Sequence, residues 1–497
     1  MVLRQQSLMV LCLTVGLSAL NPLLAEDVTW SMDSLSQIVQ PMRHSMEGRI
    51  PLMCWNLPLP ADEKLLEMQG DGSLRKAIET LAERGIVPTV VMGWNWDPAG
   101  ALAMAQTLQE AGQPVYVLAA FGIVDGEKAL YAESPKFTGP WPWDETGQVT
   151  WKGTRDWPCL PVYDVSQSVA FYREWMQRFK NAGITVDAVW TDYEGLPYAW
   201  NFIYESQKQA ECAKHYPPGA LDSWHSFASY VGELRARILQ EAIADPVHEF
   251  FPQALVSNYG SAASSEAYPF VGSVGAVSPP CTIGHLSAVM PSVYAGGRHL
   301  GRYYNMDWPV TQAEADNIYF TTLLSTISTS MANKGTKLGI PYVCRYLPTS
   351  EESRYDLGMS AGVYREMLRH AFLRGTDGLY LFNLGFPGSR VTPQESLESV
   401  EDARSVMDEM LMFREFLEQG QPMNFDLPAM RTYGIVWSGL ALPDRVLVRV
   451  FTFGPETRTL DLIPFPGVAV KLEATNRGAT YLVDRAGRAR VVRRGLL

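Results

Sequence analysis

The sequence predicts an α/β fold: a (β/α)8 TIM barrel followed by a small antiparallel β-domain. Three observations carry that expectation. Eight short apolar runs alternate with amphipathic helical stretches. The runs are apolar almost throughout, as strands covered on both faces must be. After Gly420 the pattern switches to a period of two.

The first strand reads RIPLMCWN, and DGSLRKAIETLAERG after it is helical, with Asp71 near its start and Gly85 closing it. VPTVVMGWN and PAGALAMAQTLQEAG form the second unit. QPVYVLAAFG is the third strand, separated by a long aromatic insert from the helix SQSVAFYREWMQRFKNAG. VDAVWTDYEG is the fourth, and a helix from about Ser223 to Ala244 leads to ALVSNYG. LSAVMPSVYAGG, KLGIPYVCRYL and DGLYLFNLG are the last three strands, each followed by a helix, the final one ending near Gly420. A doubly wound sheet is the alternative, but it has fewer strands as a rule and a nucleotide-type glycine loop, which is absent here. Past Gly420, DRVLVRVFTF, VAVKLEAT and ATYLVDRAGRARVVRRG alternate apolar and polar residues. The expected division is a signal peptide over 1–25, the barrel over 26–420 and a β-sandwich-like domain over 421–497. That last domain braces the barrel or binds carbohydrate.

A chain of 497 residues, 47% hydrophobic and 19% charged, is globular and long enough for a barrel with an appended module. The formal net charge of -12 argues against nucleic acid as a partner, because phosphate binding needs clustered Lys and Arg. At the N-terminus, Arg4 precedes an apolar stretch from Leu8 to Leu20, too short to span a bilayer. Small residues follow up to Ala25, so the segment reads as a cleaved signal peptide. Export to the periplasm or beyond is expected, with no lipid anchor at Cys12 and no stable membrane insertion. Cys54, Cys159, Cys212, Cys281 and Cys344 are scattered, which suits one or two disulfides but not a disulfide scaffold. The seven histidines show no HxxxH or HExxH spacing, so no metal and no cofactor is expected.

The chemistry concentrates on the fourth strand. Its apolar part, Val186 to Trp190, puts Asp192 and Glu194 at the C-terminal rim, where barrels keep their active sites. Residues i and i+2 of an extended segment share one side, roughly 7 Å apart. Ringed by Trp190, Tyr193 and Tyr198, two such carboxylates repel each other. With partial burial this raises one pKa and keeps a proton available to a general acid. The plainer alternative is that both acids pair with arginines or cap the loop. Strands six, seven and eight end MPSVYAGG, IPYVCRYL and YLFNLG, without an acid. The nucleophile is then expected from the substrate, as a 2-acetamido oxygen. Asp192 would orient that group, Glu194 would protonate the leaving oxygen and later activate water, and Tyr294 would hydrogen-bond the acetamido oxygen. The expected partner is an oligo- or polysaccharide containing N-acetylhexosamine. Two other readings stay open: a glycosidase for other sugars using a loop carboxylate (Asp97, Glu127 or Asp307), and a non-catalytic glycan-binding barrel.

These segments resemble those of the hyaluronidase family. VDAVWTDYEGLPYAWN is similar to its strand-four segment, AVMPSVY to its strand-six segment and SNYG to its strand five. IPLMCWNLP and PYVCRYL are similar to its strands one and seven. The matches run in order over roughly residues 49–390, as short stretches. The resemblance implies a glycoside hydrolase barrel with Tyr294 assisting catalysis and Tyr259 and Arg345 at the sugar site. Where the family has a tryptophan near the end of strand eight, this chain has Phe382 beside Asn383. A more distant likeness to chitinase-like barrels, which also place Asp-x-Glu on strand four, is equally compatible.

Loops complete the expected cleft. Trp94 and Trp96 follow strand two, with Asp97 close by, and Tyr193 lies between the two acids. Trp141, Trp143, Trp151 and Trp157 sit in the insert after strand three, either as sugar-stacking platforms or packed on one another. Arg298 and Arg302, after strand six, would meet acidic sugars or stand solvated. GMSAG (358–362) fits G-x-S-x-G, but SEESRYDL before it is polar, so Ser360 reads as a helix cap and not as a nucleophile elbow.

Overall fold

The structure is a computed structural model describing residues 30–60, 62–93, 98–119, 122–143, 149–260, 286–295, 311–345, 357–385 and 391–495. The expected signal peptide, Trp94, Trp96, Asp97, Cys281, Arg298, Arg302 and Asp307 lie outside them.

Eight parallel strands follow one another in chain order. They are β1 (Leu52–Cys54), β2 (Ile86–Val87 and Val90–Met92), β3 (Tyr116–Ala119) and β4 (Ala188–Thr191), then β5 (Leu255–Asn258), β6 (Ala288–Val289 and Ser292–Tyr294), β7 (Leu338–Gly339 and Tyr342–Cys344) and β8 (Tyr380–Leu381). Two arcs pair in the orders β6-β7-β8-β1-β2 and β2-β3-β4-β5, and β2 belongs to both. At the seam between β5 and β6 the ladder gives way to Ser287. Its backbone N–H donates to Val256 O (2.7 Å), and its hydroxyl accepts from Val256 N (3.0 Å). The strand order and parallel sense are those of a (β/α)8 ring, but the ladder is not continuous around it.

The helices form where the apolar period requires. Ser73–Ala82 buries Leu74, Ala77, Ile78 and Leu81, one face at i, i+3, i+4 and i+7. Asp71 accepts from Ser73 N just before it (2.8 Å), and Gly85 beyond it takes a positive φ of 67°, as a helix-terminating glycine does. Trp224–Leu239 starts at Ser223, whose side chain accepts from Ser226 N. It runs on through a wide turn, Gln240–Ala244, into Asp245–Phe250, further than the sequence suggests. Thr392 and Glu395 close a capping box ahead of Pro393–Leu411.

The insert after β3 is not an irregular loop. Lys136–Trp143 and Val149–Pro158 pair as an antiparallel hairpin. Trp157 is buried against Trp141 (5.3 Å between ring centroids) and Phe202 (5.5 Å), with the Arg155 guanidinium 4.9 Å from both tryptophan rings. These two tryptophans pack on one another; the side chains of Trp143 and Trp151 lie outside the described set. Cys159, at the foot of the hairpin, is disulfide-bonded to Cys212, while Cys54 and Cys344 are buried and outside that disulfide.

After Gly420 the strands run antiparallel. Ile435–Ala441, Arg445–Thr452, Ala479–Asp484 and Ala489–Arg494 form one sheet, and Arg458–Phe465 pairs with Val468–Ala474. Val446, Val448, Val450, Leu462, Leu472 and Val483 share a core between the two. The outer face of the sheet docks on helix Ala361–Phe372 through buried charge. Glu366 accepts from Arg449 Nε (2.7 Å) and Nη2 (2.5 Å), and Arg369 bridges Glu366 and Glu409. Arg374 donates to the Ser438 hydroxyl (2.7 Å) and to Trp437 O (3.1 Å). Burial alone would raise the Glu366 carboxyl, but the Arg449 charge and its hydrogen bonds hold it well below the usual range.

Removing one member of a buried ion pair leaves the other unpaired. Glu366→Ala is therefore expected to cost about 3–5 kcal/mol of unfolding free energy, read from urea denaturation. A loss within error of zero would show that this contact does not hold the sheet.

Candidate active site

The tail that follows β4, Asp192 to Tyr198, is shaped by three side chains from neighbouring elements. Asn258, the last residue of β5, is fully buried and grips it with both ends of its amide. Its Oδ1 accepts from Tyr193 N (2.9 Å) and from the Thr191 hydroxyl (2.7 Å), while its Nδ2 donates to Tyr193 O (3.2 Å) and Tyr259 O (2.6 Å). Arg235 reaches up from its helix and donates to Tyr193 O and to Gly195 O (2.6 Å). Glu127, from the short helix Gly126–Leu130, accepts from Leu196 N (3.1 Å). The next peptide, Leu196–Pro197, is cis.

With the backbone held this way, Tyr193 points down and its two neighbours point out. Sequence reasoning placed Tyr193 at the sugar site, but here it is buried under the tail. Its hydroxyl donates to Leu196 O, and its ring lies over the Arg235 guanidinium (5.2 Å). Gly122 and Gly195 make room for it: a Cβ on Gly122 would stand 2.5 Å from Tyr193 Cβ, and one on Gly195 2.7 Å from its ring. Tyr193 is a wedge, not a ligand contact, because alternation along the tail turns it away from the two acids.

Asp192 and Glu194 are half-buried on the open side. Burial pushes the Asp192 carboxyl well above the usual carboxylate range, and the Glu194 charge adds to this. Burial raises Glu194 too, while the Arg235 charge and a hydrogen bond with the Tyr259 hydroxyl pull it back. The sequence suggested one raised pKa; both carboxyls are raised, so the pair holds a proton between them into a higher pH range than a free acid would. Asp192 Oδ1 is buried without a hydrogen-bond partner among the described residues, as are Trp190 Nε1 and the Tyr342 hydroxyl. Buried polar atoms of this kind are normally satisfied by water or by a ligand.

Across from the acids stands a row of aromatic rings. The Tyr259 hydroxyl is hydrogen-bonded by Ser292 and Tyr294 as well as to Glu194. Tyr294 stacks on Tyr259 (6.1 Å, 25°) and on Phe382 (4.9 Å, 19°), and its charge-bearing neighbours include Asp192. Phe382 meets Trp55 from the end of β1 (5.3 Å), and Tyr342 stands edge-on to Tyr259 (5.0 Å). Glu194, Asp192, Tyr294, Tyr259 and Phe382 therefore converge on one rim.

Arg345 and Asn383 do not join them. Arg345 Nη1 donates to Asp402 (2.9 Å) and its Nε to Met359 O (3.3 Å), tying β7 to the helix layer. The Asn383 amide donates to Asn56 O (2.5 Å) and the Ser396 hydroxyl (3.2 Å) and accepts from Asn56 N (3.2 Å), which fastens β8 to β1. Both were expected at the sugar; both are used for packing. Ser360 stands at the N-cap position of its helix with an extended backbone, but its hydroxyl makes no bond to the helix and donates to Asp316 instead (2.7 Å); the described residues before it, 357–359, are not strand. Sequence reasoning missed Asn258, Arg235, Trp55 and Tyr342. An Asn ending an otherwise apolar strand was the one available signal. Among the described residues no group of His, Cys, Asp and Glu converges as a metal site, and no helix is long and apolar enough to cross a membrane.

No family model matches the chain, and no curated protein matches it. Solved structures overlap it loosely. A debranching enzyme from Nostoc punctiforme is 10% identical over 85% of this chain and 92% of its own, with a TM-score of 0.40. Alpha-L-fucosidase isoenzyme 2 from Paenibacillus thiaminolyticus is 11% identical over 76% of this chain, with the same TM-score of 0.40. The chain spans only 51% of that fucosidase. The GH36 alpha-galactosidase AgaA from Geobacillus stearothermophilus is 13% identical over 93% of this chain and 57% of its own, with a TM-score of 0.37.

Two outcomes test this geometry. Asn258→Ala strands buried backbone groups of the tail and should cost about 1–3 kcal/mol in chemical denaturation; a neutral result would remove Asn258 from its holding role. The second concerns pH. A carboxyl whose pKa is raised by folding favours the folded state at low pH, and that contribution is lost as pH rises through the folded-state value. Asp192→Asn should therefore raise the Tm at about pH 8 relative to the unsubstituted protein, with the gap closing near pH 4. A lower Tm at both would contradict the raised pKa.

Proposed function

We propose that the protein is an exported glycoside hydrolase that cleaves glycans containing N-acetylhexosamine, with retention and with the substrate's acetamido group as nucleophile. The observation that carries this reading is the Asp192–Glu194 pair itself. Its two raised carboxyls, the Asp192 Oδ1 that has no partner among the described residues and the facing Tyr294 hydroxyl meet on one rim. Among the described residues the ends of β5 to β8 contribute no further carboxylate. Glu127, a candidate second carboxylate, is occupied by Leu196 N beneath the tail.

Each residue then has a task. Glu194 stands where the leaving oxygen departs and gives it a proton; once the glycan leaves, it takes one from water. Asp192 Oδ1 accepts the acetamido N–H, which turns the carbonyl oxygen toward the anomeric carbon and stabilises the positive charge of the cyclic intermediate. Tyr294 donates to that oxygen and holds it in line. Phe382 and Trp55 offer apolar faces to the sugar ring. This is the hyaluronidase-like logic without any commitment to hyaluronan. Export is part of the same reading, supported by the N-terminal segment and the Cys159–Cys212 pair.

Glu194→Gln should lower turnover of an aryl N-acetyl-β-hexosaminide or of an N-acetylated oligosaccharide about 10²–10⁴-fold, with an unchanged circular dichroism spectrum. Undiminished turnover would sink the assignment. The matching 2-hydroxy glycoside should be a far poorer substrate. If it turned over equally well, the nucleophile would be a carboxylate; binding without cleavage across a glycan panel would point to a non-catalytic barrel.

A further inference from the structure

A buried arginine ordinarily has a carboxylate against it, because an unpaired buried charge is costly. Arg235 does not follow this pattern. It is 4% exposed, and among the described residues no carboxylate stands within ion-pair distance of it. Its hydrogen bonds go to the carbonyls of Tyr193 and Gly195, the two residues on either side of Glu194. Its cation also covers the Tyr193 ring, so the whole side chain is fixed beneath the tail. Arg374 is likewise buried on carbonyls and hydroxyls; what sets Arg235 apart is the residue between its two carbonyls, Glu194.

We propose that Arg235 is a positioning residue for Glu194: it fixes the backbone on both sides of the acid and places a positive charge beneath that segment. This rests on reading Glu194 as the general acid and adds what sets its proton affinity. The groups around Glu194 come from several elements. Asp192 lies on the same tail, Tyr259 is hydrogen-bonded to Glu194 from β5, and Tyr294 stands behind it on β6. Tyr198 lies further along the tail. Glu127 approaches from below and feels the charges of Arg155 and Arg235. Burial drives the Glu194 proton affinity up, and Arg235 opposes it. Without that opposition Glu194 would bind its proton more tightly, would give it up less readily to a leaving oxygen, and would be slower to act as a base in the second step.

Arg235→Lys keeps the charge and loses the fork, whereas Arg235→Gln keeps a donor and loses the charge. The carboxyl of Glu194 is followed by carbon-13 NMR titration of δ-labelled glutamate, assigned by its disappearance in Glu194→Gln. Arg235→Gln should raise the proton affinity of Glu194 about tenfold, one pKa unit, and move the alkaline limb of the kcat/KM profile up in pH by the same amount. Arg235→Lys should titrate near the unsubstituted protein. Equal titration in all three, or equal shifts in Lys and Gln variants, would overturn the proposal. If neither variant folds, the unsubstituted protein still decides. The Arg235 Nε resonance should follow the Glu194 titration and lose that inflection in Glu194→Gln, and the absence of such an inflection would overturn the proposal. The NMR arm does not depend on turnover. If Glu194→Gln keeps full activity, the catalytic reading fails while the electrostatic pairing is judged separately.

Discussion

The amide of Asn258 bonds both the N–H and the C=O of Tyr193, and the geometry of the rim depends on that grip. Beyond Thr191 the ladder with β5 ends. The next backbone groups would otherwise turn to water, and the tail would be free to rotate. An Asn side chain on β5 replaces the missing ladder partner and extends the strand geometry by two residues. Since side chains alternate along an extended chain, fixing Tyr193 downward fixes Asp192 and Glu194 outward. Arg235 and the glycines at 122 and 195 hold the same residue from the other side. Two carboxyls on one side of one strand are therefore a consequence of how a single tyrosine is seated.

That seating also sets the electrostatics. Two acids on the same face of a half-buried tail cannot both ionise cheaply, so the proton that one of them retains is a result of position and not of any special chemistry in either side chain. Arg235 and Tyr259 act on Glu194 more than on Asp192. At Glu194 they oppose the rise that burial imposes on both carboxyls. An acid that must donate in one step and accept in the next benefits from such a balance.

Much of this was legible in the sequence. Period and composition located the eight strands, the main helices and the change of pattern after Gly420. The barrel convention then placed Asp192, Glu194, Tyr259 and Tyr294 on one rim. Other parts were hidden for physical reasons. Tyr193 and its two neighbours are equally polar in composition, and only the register of the tail decides which of them face out. Arg345 and Asn383 sit at strand ends, where a site residue and a packing residue look alike; their partners, Asp402 and Asn56, are distant in sequence. Trp55 stands in the first strand's segment, yet its approach to Phe382 depends on β1 and β8 being neighbours. The resemblance looked for a tryptophan on β8, and the ring supplies one from β1.

The docking of the C-terminal sheet shows what the chain does with buried charge when no ligand is involved. Glu366 is fully buried, and both its oxygens are taken by Arg449, with Arg369 beside it. Arg374 finds three carbonyls and two hydroxyls at the same interface. A fold that satisfies a glutamate so completely at one end leaves Asp192 Oδ1 without a partner among the described residues at the other. Folding alone would favour the same solution in both places, because an unpaired buried oxygen costs about 1–3 kcal/mol. At the rim a raised carboxyl and an oxygen without a partner among the described residues fall on one side chain, Asp192. Departures from local rules of this kind are characteristic of sites shaped for a ligand. Under the proposed reading an acetamido group meets both needs, bringing an N–H to Asp192 and an oxygen to Tyr294.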